Sequence, residues 1–504
     1  MSRTRNSIRN AFFAVIGSVI IAVMQLINRK VFVNFLASDY LGLNGLFSNI
    51  LSVLSMSEMG IGTAMIFSLY QPVGEGDIEK TKSLMRLYKR LYSMIGWFVL
   101  VVGLSLTPFL SLFIKEMPDI PYIHLYFMMY VLDSGLSYFY TYKRSIIICN
   151  QEDYISSMST MFASIATRVT QLLVLILSHN YFLFLLVQII FTRLENIVIS
   201  KIADKKYPYL RDRNVQPLSQ EDTSNIKKNI FAMMAQKIGS VIVSGTDNLI
   251  ISKILGLTIL GFYSNYVLLL NTLNSLIVKM FNSITASIGN LIVKQSKDEV
   301  ESVFKNVLFA NFWIFSFAST CFCALFQPFI KLWVGEKFLL SNAAVWIFVA
   351  CFYVNGMRQT VLAFRNATGI FRYDQYRAIV EAVVNLVLSI PLTFWFGVAG
   401  VKLGSLLALL MTTFWLEGFV LYKKFFDKSS MKYQLLQLKY SLFTIIQCIV
   451  ATYVCGLVDN GSIWSFAIEC FLCLILSNGI IVLFWHKSQE FTYFLNLMRK
   501  MVKK

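Results

Sequence analysis

The sequence predicts an all-α, polytopic membrane protein of about 14 transmembrane helices, built as two six-helix lobes from an internal repeat plus two C-terminal helices. Three observations carry that prediction. The 504 residues are 57% hydrophobic and only 14% charged, which is more apolar surface than a soluble domain of this size needs. Apolar runs of about 20 residues, enough to cross a hydrocarbon core of roughly 30 Å, recur from one end to the other. The basic residues collect in alternate gaps between these runs.

The start, MSRTRNSIRN, is basic and leads into an apolar run without a small-residue cleavage site, so span 1 (9–33) reads as an uncleaved helix whose N-terminus stays in the cytoplasm. Spans 2 to 6 follow at 45–70, 89–114, 122–147, 155–178 and 180–204. The gap before span 3 carries Lys80, Lys82, Arg86, Lys89 and Arg90. The longest connection, 205–228, is the only linker-like segment and holds Lys205, Lys206, Arg211, Arg213, Lys227 and Lys228. Spans 7 to 12 lie at 229–254, 262–293, 303–330, 341–364, 375–397 and 400–426, and spans 13 and 14 at 437–458 and 462–486. The domains are therefore an N-lobe (1–204), a cytoplasmic linker (205–228), a C-lobe (229–427) and a C-terminal part (428–504) with helices 13–14 and a tail.

Lys423, Lys424, Lys428, Lys432 and Lys439 lie around the gap between spans 12 and 13, whereas the predicted outer loops hold only Lys115, Lys331, Lys337 and Lys402. The bias has one direction at every crossing, which puts both termini in the cytoplasm. The net charge of +18 is then mostly a topology signal that also attracts anionic membrane lipids. Basic residues scattered over short loops, with no binding module, give no nucleic-acid partner. The eight cysteines lie mostly in apolar runs, where Cys acts as a small hydrophobe, and three histidines without a matching Cys pair give no metal site.

The halves on either side of the linker align weakly but in order. RNAFFA at Arg9 matches KNIFAM at Lys228, and DYLGLN at Asp39 matches TILGFY at Thr258, both pairs with an offset of 219. RLENIVISK and WLEGFVLYK align Glu195 with Glu417 and Lys201 with Lys423, with an offset of 222. A six-span repeat is even, so both copies have one orientation, as in parallel transporter repeats that rock about a central site.

Several stretches resemble a known family. DYLGLNGLFSNILSVLSMSEMGIGTAMIFSLYQPVGEGD and YFYTYKRSIIICNQEDY in the first half are similar to lipid-linked oligosaccharide (O-antigen and capsule repeat-unit) flippases, the polysaccharide-transport branch of the multidrug/oligosaccharidyl-lipid/polysaccharide exporter superfamily. TDNLIISKILGLTILGFYSNY, FIKLWVG and FRNATGIFRYDQYRAIVEAVVNLVLSIPL in the second half resemble it too, so the resemblance covers about residues 8–427. It implies a bacterial plasma (inner) membrane and two six-helix lobes in a V. It further implies undecaprenyl-diphosphate-linked oligosaccharide repeat units moved from the inner to the outer leaflet by alternating access, for surface polysaccharide such as lipopolysaccharide O-antigen or capsule. A polymerase of the same pathway would be a partner, and H+ or Na+ a coupling ion. The alternatives are a cation-coupled multidrug exporter of the same superfamily and a membrane glycan polymerase or ligase.

Charges inside spans mark functional candidates because each costs about 2.5–3.5 kcal/mol on insertion. Lys237, Ser240, Ser244 and Asp247 share one face of span 7, and Ser18, Gln25 and Arg29 echo them in span 1, a pattern of a hydrophilic seam or of interhelical hydrogen bonding. Arg168 and Lys279 sit mid-span, too deep to snorkel easily. Arg29, Arg168, Lys237, Lys279 and Arg358 are the expected substrate-binding cations for a diphosphate. Glu58 and Asp247 are the candidates for ion coupling, Glu58 alternatively pairing with a basic neighbour. Lys143, Arg144, Arg365 and Arg372 lie at inner helix ends, where anchoring is the default. No phosphate-cradling glycine loop or catalytic constellation is present, and His124, His179 and His486 lie far apart at span ends, so the chain is read as no enzyme and as needing no cofactor. A polymerase or ligase would also need a large outer loop.

Overall fold

The computed structural model describes residues 3–502 apart from 59–60, 151, 213–214, 221–222, 225, 227–229, 231–244, 369 and 371–375. Among the described residues the chain is helical and contains no strand. The first helices are α1 (Arg3–Phe35), α2 (Ser38–Leu54), α3 (Ile61–Glu75), α4 (Ile78–Leu106), α5 (Ile123–Thr141), α6 (Arg144–Cys149), α7 (Asp153–Ser178) and α8 (Tyr181–Lys206). After the connection come α9 (Leu257–Lys294), α10 (Lys297–Trp333), α11 (Asn342–Thr368), α12 (Arg377–Phe396) and α13 (Val398–Phe426). The chain then forms α14 (Met431–Gly456), α15 (Ile463–Trp485) and α16 (Gln489–Val502).

Ten helical stretches among the described residues are long and apolar enough to cross a membrane. Predicted span 2 is divided into α2 and α3 by a 3-10 turn at Ser55–Glu58, and span 4 is divided into α5 and α6 around Tyr142 and Lys143. The reason at the first break is local: serine side chains compete for backbone hydrogen bonds, and a carboxylate joins them in SMSE. Span 7 falls largely outside the described residues, and what is described of it ends in a π-turn at Ile251–Leu255. Large apolar side chains point outward along the helices: Trp97 is 61% exposed, Leu177 80%, Trp395 76% and Trp464 81%. Helices that satisfy their own backbone groups can present such side chains to lipid.

Helix starts follow ordinary capping chemistry. The Asp77 carboxylate accepts the Lys80 N–H at 2.9 Å to begin α4, the Asn180 side chain accepts from Phe182 N at 2.8 Å to begin α8, and Ser296 forms a reciprocal capping box with Glu299 ahead of α10.

The chain forms two compact units, Met1–Gly261 and Phe262–Lys504. In the first, α1 packs on α7, α4 on α5, and α8 on both α5 and α7. The starts of α2 and α9 also cross here. A methyl group on Gly42 would lie 2.1 Å from the Leu257 carbonyl oxygen, and one on Gly261 would lie 2.5 Å from that of Ser38. Only glycine permits this approach. The contact is reciprocal at the repeat offset: Gly42 and Gly261 are 219 apart, as are Ser38 and Leu257, and the Thr258 hydroxyl donates to the Asp39 carboxylate, again an equivalent pair.

In the second unit α12 packs on α13, and α10 contacts α11, α14 and α15. The C-terminal helices are fixed to α10 by aromatic packing: Phe312 stacks on Tyr440 at 4.0 Å between ring centroids and 7° between planes, with Trp485 5.1 Å from Phe312. At the ends of α10 and α13, Lys428 lies 2.6 Å from Asp298 and also pairs with Glu301. The ammonium group holds the Asp298 carboxyl below its ordinary value by hydrogen bonding and charge. Burial pushes Glu301 up, but Lys428 and Lys305 together outweigh it and hold that carboxyl low as well.

Ser429, before α14, and Asn460, between α14 and α15, are both exposed and test the predicted orientation. In intact cells a cysteine at Asn460 should react with an impermeant thiol reagent added outside, and one at Ser429 should be shielded. The opposite labelling pattern would invert the topology.

Candidate functional site

Two buried polar clusters stand out, one in each unit. In the first, Asn28 on α1 donates to the Arg168 carbonyl on α7 at 3.3 Å, joining the two helices that carry Arg29 and Arg168. The Arg168 guanidinium donates to the Gln171 side chain at 3.2 Å, and Gln171, fully buried, donates to the Phe184 carbonyl on α8 at 3.2 Å. Arg168 is therefore oriented by a neutral amide. Arg29 and Arg168 lie near the same buried tyrosine, Tyr130. That hydroxyl donates to Asn44 at 2.5 Å and lies 3.2 Å from the Tyr181 hydroxyl. Two guanidinium groups are thus set among tyrosine and amide side chains, and paired guanidiniums suit an anion with several oxygens.

Around this pair several other charges of the first unit are matched. Arg193 lies 3.5 Å from Asp133, which also accepts from Gln188 at 3.3 Å. Arg144 lies 2.7 Å from Glu195, and Lys143 lies 2.7 Å from Asp204. Lys143 and Arg144 therefore tie α6 and its approach to α8.

Among the described residues no basic side chain pairs with Glu58. Its carboxylate accepts from the Tyr92 hydroxyl at 2.6 Å, and Tyr92 is in turn 3.3 Å from the Tyr88 hydroxyl. Two tyrosines on α4 reach the break between α2 and α3 because they are four residues apart and so lie on one helix face.

In the second unit Glu417 on α13 is the centre of an arginine cage. Arg358 on α11 approaches it with two nitrogens, at 2.9 and 3.0 Å, and Arg365 and Arg377 lie 3.5 and 3.2 Å away. Arg377 also contacts Glu381 at 2.8 Å, and Thr413 links the same two groups, accepting from Arg377 at 2.8 Å and donating to Glu381 at 2.5 Å. Glu417 is 2% exposed. Three guanidiniums face two carboxylates, and this knits α11, α12 and α13 together. Beside it, a cavity of about 650 Å³ is lined by Arg377, Tyr376, Trp415, Phe419 and Gln434, a cation among aromatic rings.

Of the remaining predicted residues, Lys279 is exposed in the middle of α9, and Asp247 is buried at 4% exposure. Lys237, like Arg372, lies outside the described residues. Arg29 and Arg168 are brought together, while Arg358 is engaged by Glu417. Two features escaped the sequence reading. Arg377 joins Glu381 one turn away, a spacing of four that was visible in the sequence. Glu469, on α15, is fully buried with neither carboxylate oxygen hydrogen-bonded among the described residues. A lone acid in the apolar run IWSFAIECFLC was its signal.

Solved structures share this architecture. An inward-closed lipid II flippase, MurJ, superposes with a TM-score of 0.69 at 14% identity, covering 94% of this chain and 99% of the flippase. The chain shares the flippase's fold. An inward-facing MATE-family multidrug resistance transporter of the MOP superfamily gives 0.63 at 14% identity, over 78% of this chain and 93% of that one. A Vibrio cholerae MATE transporter gives 0.60 at 15% identity, over 85% and 98%. No protein-family profile and no curated protein sequence matches the chain. The all-α polytopic class expected from composition and charge is the class observed.

Proposed function

We propose that the chain is a flippase that carries a diphosphate-linked oligosaccharide lipid, of the undecaprenyl-diphosphate type, from the inner to the outer leaflet of a bacterial plasma membrane. The observation that carries this reading is the guanidinium pair Arg29 and Arg168 in the membrane interior, set among tyrosines and amides. A diphosphate headgroup cannot cross hydrocarbon unaided, and paired cations lower that barrier by charge-assisted hydrogen bonding. The likeness to a lipid II flippase over 94% of the chain supports the same class of cargo. Lys237 and Lys279 supply cations from the C-lobe (229–427), and Arg358 holds the cage about Glu417 in register. Glu58 and Asp247 are the candidates for coupling to H+ or Na+. Both termini face the cytoplasm, and the exported repeat unit is passed to a polymerase for surface polysaccharide.

A cation-coupled multidrug exporter is the second reading, favoured by the two MATE structures. A cavity for cationic drugs calls for acids, and the guanidinium pair opposes that. Deletion of the gene separates the two. Intact lipid-linked repeat units should accumulate on the cytoplasmic leaflet, with loss of surface polysaccharide. Normal surface polysaccharide with altered drug resistance would favour the exporter instead.

A further inference from the structure

The connection after α8 does not hang free. Asp212 reaches back to Lys82 at 3.1 Å, the Ser83 hydroxyl donates to the Gln216 carbonyl at 2.6 Å, and Arg86 donates to the Val215 carbonyl at 3.3 Å. Tyr209, Leu210, Arg211, Asp212 and Val215 thereby roof a cavity of about 590 Å³ over the first turns of α4. That volume falls within the roughly 300–1,000 Å³ of small-molecule sites. By the charge bias of the loops, this end of α4 is the cytoplasmic one.

The lining is cationic in a specific way. Lys82, Arg86, Lys89, Lys143 and Arg211 line the cavity together with only two acids, Asp204 and Asp212. Both acids are already engaged: Asp204 lies 2.7 Å from Lys143, and Asp212 lies 3.1 Å from Lys82, which also holds Glu79 at 2.6 Å. Hydrogen bonds that Lys82 donates to Glu79 and Asp212 raise its pKa, so that residue stays charged and neutralised. No carboxylate among the described residues pairs with Arg86, Lys89 or Arg211. Lys82, Arg86 and Lys89 follow one another at spacings of four and three, so they share one face of α4, and Arg211 faces them from the roof.

We propose that this cavity binds a phosphate-bearing anion, a diphosphate above all, held by Arg86, Lys89 and Arg211. Three uncompensated cations around one cavity suit a multiply charged anion better than a single carboxylate. Guanidinium forks match phosphate oxygens geometrically, and a lysine adds a mobile point charge. The same chemistry occurs in a soluble diphosphate and in the headgroup of an anionic lipid at the membrane interface. The inference is independent of the cargo proposed above, because none of these residues belongs to the membrane-interior guanidinium pair.

The test uses the purified full-length protein, with inorganic pyrophosphate as the probe. Saturable binding in detergent is expected, weakening as salt is raised. The Arg86→Ala/Lys89→Ala/Arg211→Ala protein should bind roughly ten-fold or more weakly, as loss of charge-assisted bonds requires. Because Arg86 also holds the Val215 carbonyl, the Lys89→Ala/Arg211→Ala protein, which keeps that bond, should show most of the same loss. Arg211→Lys should retain part of the binding. In nanodiscs, competition by phosphatidylglycerol, compared with phosphatidylcholine alone, would assign the site to a lipid headgroup, and undiminished pyrophosphate binding would assign it to a soluble ligand. Absence of saturable binding by the folded wild-type protein, or unchanged affinity in the double variant, would overturn the proposal. Pyrophosphate binding is read without cargo transport, so failure here is distinguishable from failure of the flippase reading.

Discussion

Replacing Arg168 with alanine is expected to lower transport of the lipid-linked oligosaccharide by about ten-fold or more at unchanged protein abundance, equivalent to roughly 1.4 kcal/mol or more of lost interaction. The guanidinium is held by Gln171, a neutral amide, so its removal strands no carboxylate and the helix pair α1 and α7 keeps its Asn28 bond to the Arg168 backbone. A loss of function without a loss of folded protein is therefore the signature. Lys279→Ala should behave alike, and Lys279→Arg should keep part of the activity, because a mobile headgroup reads charge more than shape. The measurement is lipid flipping by purified protein in vesicles, normalised to folded protein. Normal rates in alanine variants of Arg29, Arg168, Lys237 and Lys279 alike would remove the anionic-headgroup mechanism.

Glu417→Ala should act in the opposite way, through stability. It would leave Arg358, Arg365 and Arg377 clustered without the carboxylate they share, and breaking a buried charge network from one side costs about 3–5 kcal/mol. That is of the order of the whole stability of many proteins. The folded fraction, read by size-exclusion chromatography and thermal unfolding in detergent, should collapse. A well-folded Glu417→Ala protein with an unchanged unfolding midpoint would mean that the cage contributes little.

The sequence makes the spans legible because bilayer crossing imposes one strong constraint, a long apolar run, and the loops carry an independent charge signal. It is less informative where a span breaks. Glu58 shows why: its partner, Tyr92, is 34 residues away on another helix, and tyrosine inside a membrane reads as one more aromatic until a carboxylate is seen beside its hydroxyl. Arg29 and Arg168 were identifiable as intramembrane charges, but their proximity depends on how α1 packs against α7, which no local pattern encodes. Arg358 was read as a candidate in isolation, whereas its geometry is set by Glu417, 59 residues further on. The linker 205–228 reads as a plain connection because docking depends on single contacts such as Ser83 to Gln216, and polar contacts of that kind have no periodicity.

The crossing at Gly42 and Gly261 bears on the history of the chain. If one ancestral six-helix unit had first paired with a copy of itself, a single glycine would have served both sides of such a crossing, and one mutation there would have been felt twice. In the single chain the two positions are separate, and each faces a carbonyl too near for any side chain. Two sites 219 residues apart are then constrained by one contact, so that a side chain added at either would press on the same crossing from opposite sides.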